Sequence, residues 1–451
     1  MKKYSCILLG FVLSLSSLSS LSQTNDNWKK LAQNPDFLHR SIKIVTDVIV
    51  HDIYSPPVAS RIYAFVTIAG YEAALDQDDN YLSLAGQLNG LRKLPLPDTI
   101  EQCSYPLASV HALMIVAETM IISEERIAAS HVAILEQFKE TGMPAAIFEN
   151  SLSYGKKVAD HIIDWASKDN YKQTRSLPKY AVLNDAATWQ PTPPSYMKAV
   201  EPHWDGIRTF IIDSPRQFSP AAATAFSTEK NSPFFKEASA VFDAGLKLSR
   251  EQIEIANFWD CNPFKMNING HVMFATKKIS PGGHWINITG LACRKANKTF
   301  EQSAEAYACL SIILADAFIS CWAEKYRSKV IRPETYINQY ISGSWTPLLQ
   351  TPPFPEYTSG HSVISAASAI ILTKLFGDAF SYDDSTEVDF NIPVRHFNSF
   401  KQAAEEAAIS RFYGGIHYMP SIVNGVSEGE KLGTFISQKL RTRKEESHLS
   451  Q

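Results

Sequence analysis

The sequence predicts a mostly helical protein, and three observations carry that expectation. Apolar residues recur at the spacing of one helix face, as in Leu38, Ile42, Val45, Val48 and Ile49. Convincing alternation of apolar and polar residues, the mark of half-buried strands, is absent, as is any repeat of fixed period. The 451 residues are 45% hydrophobic and 20% charged, enough apolar material for a substantial core and too much for a disordered chain. With a formal net charge of −3, the chain lacks the basic footprint of a general nucleic-acid binder.

Taken in order, the chain opens on Lys2 and Lys3, followed by an uncharged run from Cys6 to Leu21 and small residues at Ser20 and Ser22. This is the pattern of an export signal, so residues 1–22 are expected to be cleaved and the mature protein to be periplasmic or secreted. Residues 23–167 form a first helical half, with helical spacing over Asp36–Ile53, Val58–Leu75, Ala108–Ile122, Ala128–Phe138 and Ala145–Trp165. Pro56-Pro57 is expected to separate the first two. Between 168 and 249 the texture becomes irregular, with prolines at 178, 191, 193, 194, 202 and 215 around Trp189 and Trp204. Helical patterning returns over 250–440, in Arg250–Trp259, His284–Leu291, Gln302–Ser328, His361–Phe376, Phe400–Phe412 and Asn424–Leu440. Residues 441–451 are a polar tail, expected to fray.

No stable membrane insertion is expected after processing. Asp316 interrupts the apolar run Leu310–Trp322, and Val363–Phe376 is too short for a bilayer. Cys103, Cys261, Cys293, Cys309 and Cys321 follow the signal; their spacings match no zinc pattern. They read mostly as small buried hydrophobes, with room for one disulfide.

The chemistry lies in the last third, in three pieces. Lys325 sits on a helix, and Arg332 precedes Pro333 in the extended conformation that a following proline imposes. The rigid stretch Pro352-Pro353-Phe354-Pro355 delivers Ser359-Gly360-His361 to the start of an apolar helix, where free N–H groups suit an anion. Ser410-Arg411 closes another helix, and Gly414-Gly415 turns the chain to present His417. Three cations, a hydroxyl, a glycine N–H and two imidazoles suit a tetrahedral oxyanion: phosphate or a phosphate-like metal oxide. One imidazole can bond the central atom and the other can move a proton.

The signature Lys325-x6-Arg332-Pro333, Ser359-Gly360-His361 and Ser410-Arg411-x5-His417 resembles that shared by vanadium-dependent haloperoxidases and type 2 phosphatidic acid phosphatases. Trp322 and Phe354 resemble pocket residues of the haloperoxidase branch, as does the stretch Thr351–His361. Phe258-Trp259-Asp260 and Pro281-Gly282-Gly283-His284-Trp285 are similar to segments of its soluble bacterial members. The resemblance implies an all-α double four-helix bundle with vanadate in the C-terminal one, and hydrogen peroxide and halide as substrates. By the same resemblance His417 coordinates vanadium, while Lys325, Arg332, Ser359, Gly360 and Arg411 bind its oxygens. His361 is then the acid/base, Trp322 and Phe354 shape a halide pocket, and Asp260 pairs with Arg411. The family pattern carries Asp four residues after the last histidine, and this chain has Ser421 there. Without a carboxylate to orient His417 the expectation shifts toward iodide, the halide easiest to oxidise, with bromide weaker. Two rivals share the scaffold: a soluble periplasmic acid phosphatase using a phosphohistidine, and a non-catalytic oxyanion-binding relative.

Overall fold

The computed structural model describes residues 27–75, 80–97, 102–269 and 271–444. The expected export signal lies outside them. Among the described residues of the first half, a helical stretch at 27–32 precedes α1 Asp36–His51, α2 Pro56–Ala74, α3 Tyr105–Met120, α4 Glu124–Glu140 and α5 Ala145–Ala166. The expected break falls just ahead of the prolines, at residues 52–55, and Pro56 and Pro57 open α2 from its first turn, where missing N–H groups cost nothing. All 19 residues of α2 are buried. It packs on α3 and α5 within this half and on the long helix of the other.

The expected irregular connection holds a surprise. A short helix, α6 Tyr171–Arg175, is followed by α7 Pro233–Gly245, a full helix inside the stretch read as structureless. Its local signals are sound. The Ser232 hydroxyl accepts from the Phe235 N–H, Pro233 fills the first turn, and Phe234, Ala238 and Val241 make its buried face. Trp189 and Trp204 are fully buried, so this long connection is packed rather than loose.

The second half contains α8 Arg250–Phe258, α9 Pro281–Lys295, α10 Phe300–Ser328, α11 Pro333–Tyr340, α12 Gly360–Phe376, α13 Phe400–Tyr413 and α14 Met419–Lys439. Two hairpins also occur here, against the expectation of no strands. β1 Met266–Asn269 pairs with β2 Val272–Ala275, and β3 Tyr382–Asp384 pairs with β4 Arg395–Phe397, both antiparallel. Strands of three or four residues are too short to show alternation.

By length and composition α10 is apolar enough to cross a membrane, but its apolar stretch is wholly buried. It is the core helix of the fold, in contact with α2, α9, α12 and α14. The expected interruption, Asp316, accepts hydrogen bonds from the N–H groups of Phe210, Ile211 and Ile212 at 2.6, 2.8 and 3.0 Å. It pins the connecting segment to the core. On α14, Gly425, Gly429 and Gly433 bring α12 into backbone contact: a Cβ at Gly429 would lie 2.2 Å from the Val363 carbonyl oxygen. Residues 441–444 are docked, contrary to the expected fraying. Arg443 pairs with buried Glu305 at 2.5 Å, and the Thr442 carbonyl accepts from the Leu82 N–H at 2.8 Å. The five described cysteines form no disulfide with one another, and only Cys103 is partly exposed.

Candidate active site

Four segments meet at one end of the second half. The last turns of α10 carry Lys325. Arg332 caps α11, held extended by Pro333. Ser359 caps α12, its hydroxyl accepting from the Ser362 N–H at 3.4 Å, so Gly360 and His361 open that helix. The end of α13 carries Arg411. Gly415, at φ +74°, then makes the turn to His417 in a space where a Cβ would meet Trp345 at 3.0 Å. All these residues, expected from sequence to cooperate, are brought together.

The cations are deeply buried, Lys325 and Arg332 at 0% exposure and Arg411 at 1%. Lys325 Nζ donates to the carbonyls of Pro355, Glu356 and Thr358 at 3.1, 3.0 and 2.5 Å. Burial pulls its pKa down to about 8. Arg332 Nε donates to the Phe354 carbonyl at 2.9 Å, and its Nη1 donates to the Ile416 carbonyl at 2.9 Å and lies 3.2 Å from His417 Nε2. Arg411 Nη1 donates to the Trp259 carbonyl at 2.5 Å, and His361 also bonds that carbonyl. Arg332 Nη2, Arg411 Nε and His361 Nε2 are buried without partners.

His361, Gly360, Arg411 and His417 line a cavity of about 30 Å³ with Trp322, Phe354 and Phe264. The Trp322 and Phe354 rings are 4.9 Å apart, and Lys325 Nζ lies 5.2 Å from the Phe354 ring. Buried donors left unpaired beside a small cavity call for an acceptor that the protein does not supply. A set of N–H donors and imidazole edges, with no carboxylate among the lining residues, fits an oxyanion.

Two expectations are corrected. Asp260 does not pair with Arg411; it bonds Lys278 and Lys265 at 2.8 and 3.3 Å, and only its long-range field reaches the guanidinium. Nor does His417 lack a carboxylate. Glu356 Oε1 sits 2.7 Å from His417 Nδ1 and also accepts from the Tyr418 N–H at 3.0 Å, while Ser421 Oγ stands off at 3.4 Å. An oxygen already accepting from Tyr418 acts as acceptor toward the ring too, so Nδ1 carries the proton and Nε2 keeps its lone pair. Burial pushes Glu356 up to about 7, and Arg332 and Lys325 pull against it. Burial, then Arg332 and Lys325, hold His417 well below the usual histidine range, so its ring is neutral. Burial and then Arg411 do the same to His361. Glu356 lies five residues before His361 within the recognised stretch; its position beside the proline loop was the only signal available.

The comparisons with known proteins agree with this architecture. The family model for the second helical-bundle domain of VCPO matches residues 341–445. The crystal structure of a bacterial vanadium-dependent iodoperoxidase superposes with a TM-score of 0.86 at 50% sequence identity, covering 92% of this chain and 98% of that one. Holo and apo forms of a bacterial vanadium-dependent chloroperoxidase superpose at TM-scores of 0.65 and 0.62. They share 14% and 15% identity, cover 86% and 85% of this chain and 93% and 94% of theirs, and so share the fold. No curated protein matches.

Proposed function

The chain belongs to the vanadium haloperoxidase family, and from that premise we propose that it oxidises halide with hydrogen peroxide to hypohalous acid or an equivalent. Iodide is the favoured halide and bromide a weaker one. The observation that carries this reading is that Arg411 Nε and His361 Nε2, both buried and unpartnered, belong to residues lining one small cavity with His417, beside which Arg332 keeps a buried, unpartnered Nη2. The 50% identity to an iodoperoxidase supports iodide. The reason first drawn from Ser421 does not, since Glu356 supplies the carboxylate.

Vanadate fits the donor set, and when bound it supplies a Lewis-acidic V(V) centre that activates peroxide toward halide without metal redox cycling. His417 would ligate it through Nε2, with Glu356 orienting the ring. Arg332, Arg411, Lys325, the Ser359 hydroxyl and the Gly360 N–H would hold its oxygens. His361, neutral by burial, takes a proton from incoming peroxide at Nε2. Trp322 and Phe354 offer halide a partly apolar wall and exclude water. The mature protein is exported, beginning near Gln23; intact Met1 on native protein by mass spectrometry would refute that.

Phosphate-ester hydrolysis is a second reading, favoured by the same Glu356–His417 bond, because an oriented neutral imidazole is also a nucleophile. One experiment separates them: halide and peroxide turnover assayed beside phosphate-ester cleavage, before and after vanadate. Peroxidase activity that appears with vanadate, and ester cleavage that vanadate suppresses to nothing, is the expected result. Ester cleavage alone would overturn the peroxidase reading.

A further inference from the structure

A second constellation lies behind the oxyanion cavity and is opposite in character. Cys261 follows α8, His284 belongs to α9, and Glu387 lies between β3 and β4; all three are buried. Cys261 Sγ is 3.3 Å from His284 Nδ1, His284 Nδ1 is 3.2 Å from Glu387 Oε1, and Sγ is 3.9 Å from that oxygen. Tetrahedral zinc bonds of about 2.0–2.3 Å set ligand atoms roughly 3.2–3.8 Å apart, so this triangle has the size of one face of such a site.

The ring's other nitrogen strengthens the case. His284 Nε2 bonds Asp384 Oδ2 at 2.8 Å, and Asp384 Oδ1 is fixed by the Thr386 N–H at 3.0 Å and hydroxyl at 2.6 Å. A carboxylate on the far nitrogen of an imidazole is the arrangement that orients metal-binding histidines. It leaves Nδ1 aimed at the thiol and the Glu387 carboxyl together, where a single N–H can serve only one of them well. Lys278 and Lys265 are committed to Asp260 at 2.8 and 3.3 Å.

We propose that Cys261 Sγ, His284 Nδ1 and Glu387 Oε1 bind one divalent ion of zinc's type, with water in the fourth position. A thiolate, an imidazole and a carboxylate are the donor mixture that suits a borderline-soft ion. Cys261 also lines the oxyanion cavity, so the two sites adjoin. The ion braces the segment two residues after Trp259, whose carbonyl holds Arg411 and His361. The proposal does not depend on the halide reading.

The test is metal analysis of the full-length protein purified from zinc-supplemented culture. About one zinc per chain is expected, independent of vanadate. His417→Ala, which removes the proposed vanadate ligand, should keep its zinc; Cys261→Ser and Glu387→Gln should lose most of it. Cobalt added to zinc-stripped protein should give thiolate-to-metal charge-transfer absorption in the near ultraviolet, absent in Cys261→Ser. Background zinc in folded wild-type protein, together with no such absorption on adding cobalt, overturns the proposal. In that case His284 carries a proton between Asp384 and Glu387.

Discussion

The two helical halves bury polar groups in different ways. In the first half, buried hydroxyls turn back on their own helices: Ser41 to the Phe37 carbonyl at 2.8 Å, Thr46 to Ile42 at 3.0 Å, Thr67 to Tyr63 at 2.8 Å. Its buried cation, Arg61, finishes on Asp169 at 2.5 Å. In the second half, Arg411 and His361 keep a donor or lone pair unspent on a cavity they line, and Arg332 keeps one unspent beside His417. Leaving such atoms unmade costs about 1–3 kcal/mol each. The satisfied half is a frame, and the unsatisfied one is a site that the frame holds open.

The sharpest break of that contrast is His417→Ala. Halide oxidation and vanadate retention should fall to background, and thermal stability should fall by about 1–3 kcal/mol, because losing the ring leaves buried Glu356 without its imidazole partner. Near-native turnover with added vanadate would remove His417 from its role. Next in size are two glycines. Gly429→Ala forces a Cβ to 2.2 Å from the Val363 carbonyl, against the helix that presents Ser359–His361. Gly155→Ala brings one to 2.6 Å from the Ala108 carbonyl, in the first half. Each should cost about 1–3 kcal/mol by overpacking. Calorimetry beside steady-state rates should show specific activity falling with the first and holding with the second. Equal losses of activity would mean that the halves are not separable.

A smaller effect is expected at Glu356→Gln, which keeps the shape and removes the charge beside His417. Losing such a ligand-orienting partner typically costs 10–100-fold in metal affinity or activity. Adding Ser421→Asp should recover part of the loss, since Ser421 Oγ is already 3.4 Å from the same ring nitrogen. A vanadate titration that finds the single variant unchanged would make Glu356 a bystander.

The smallest effect is on pH. Lys325 titrates at about 8 in the fold against 10.5 in its ordinary state. The folded protein therefore holds fewer protons over that window, and the empty protein gains stability as pH rises from about 8 toward 10.5. Oxyanion affinity runs the other way, weakening as the ammonium is lost. Phosphate binding followed by calorimetry either side of about pH 8 checks the sign; affinity that rises with pH would contradict it.

The sequence made the helices legible because their signal is local. Val58–Leu75 and Gln302–Ser328 were expected, and Pro56–Ala74 and Phe300–Ser328 are observed. Their starts shifted because Pro56 and Thr299 act as first-turn and capping residues, outside the apolar period. α7 was missed because the prolines around it dominated the reading, although Ser232-Pro233 is a helix start. The oxyanion residues were legible as a spaced signature. Glu356 on His417 and Asp384 on His284 were not, because each bridges segments that only the fold brings together. Ser421 misled for the same reason: a carboxylate missing from one helix had been supplied by a loop.

Lys325 has a consequence beyond its charge. Its three protons rest on the carbonyls of residues 355, 356 and 358, in the stretch that carries Phe354, Glu356 and Ser359. One ammonium thus serves as the clasp of the loop and as a hand extended to the anion. An incoming oxygen has to borrow a bond from the clasp, so the loop should loosen a little as the pocket fills. A substitution there removes the grip and the greeting together, and would exaggerate what the charge alone contributes.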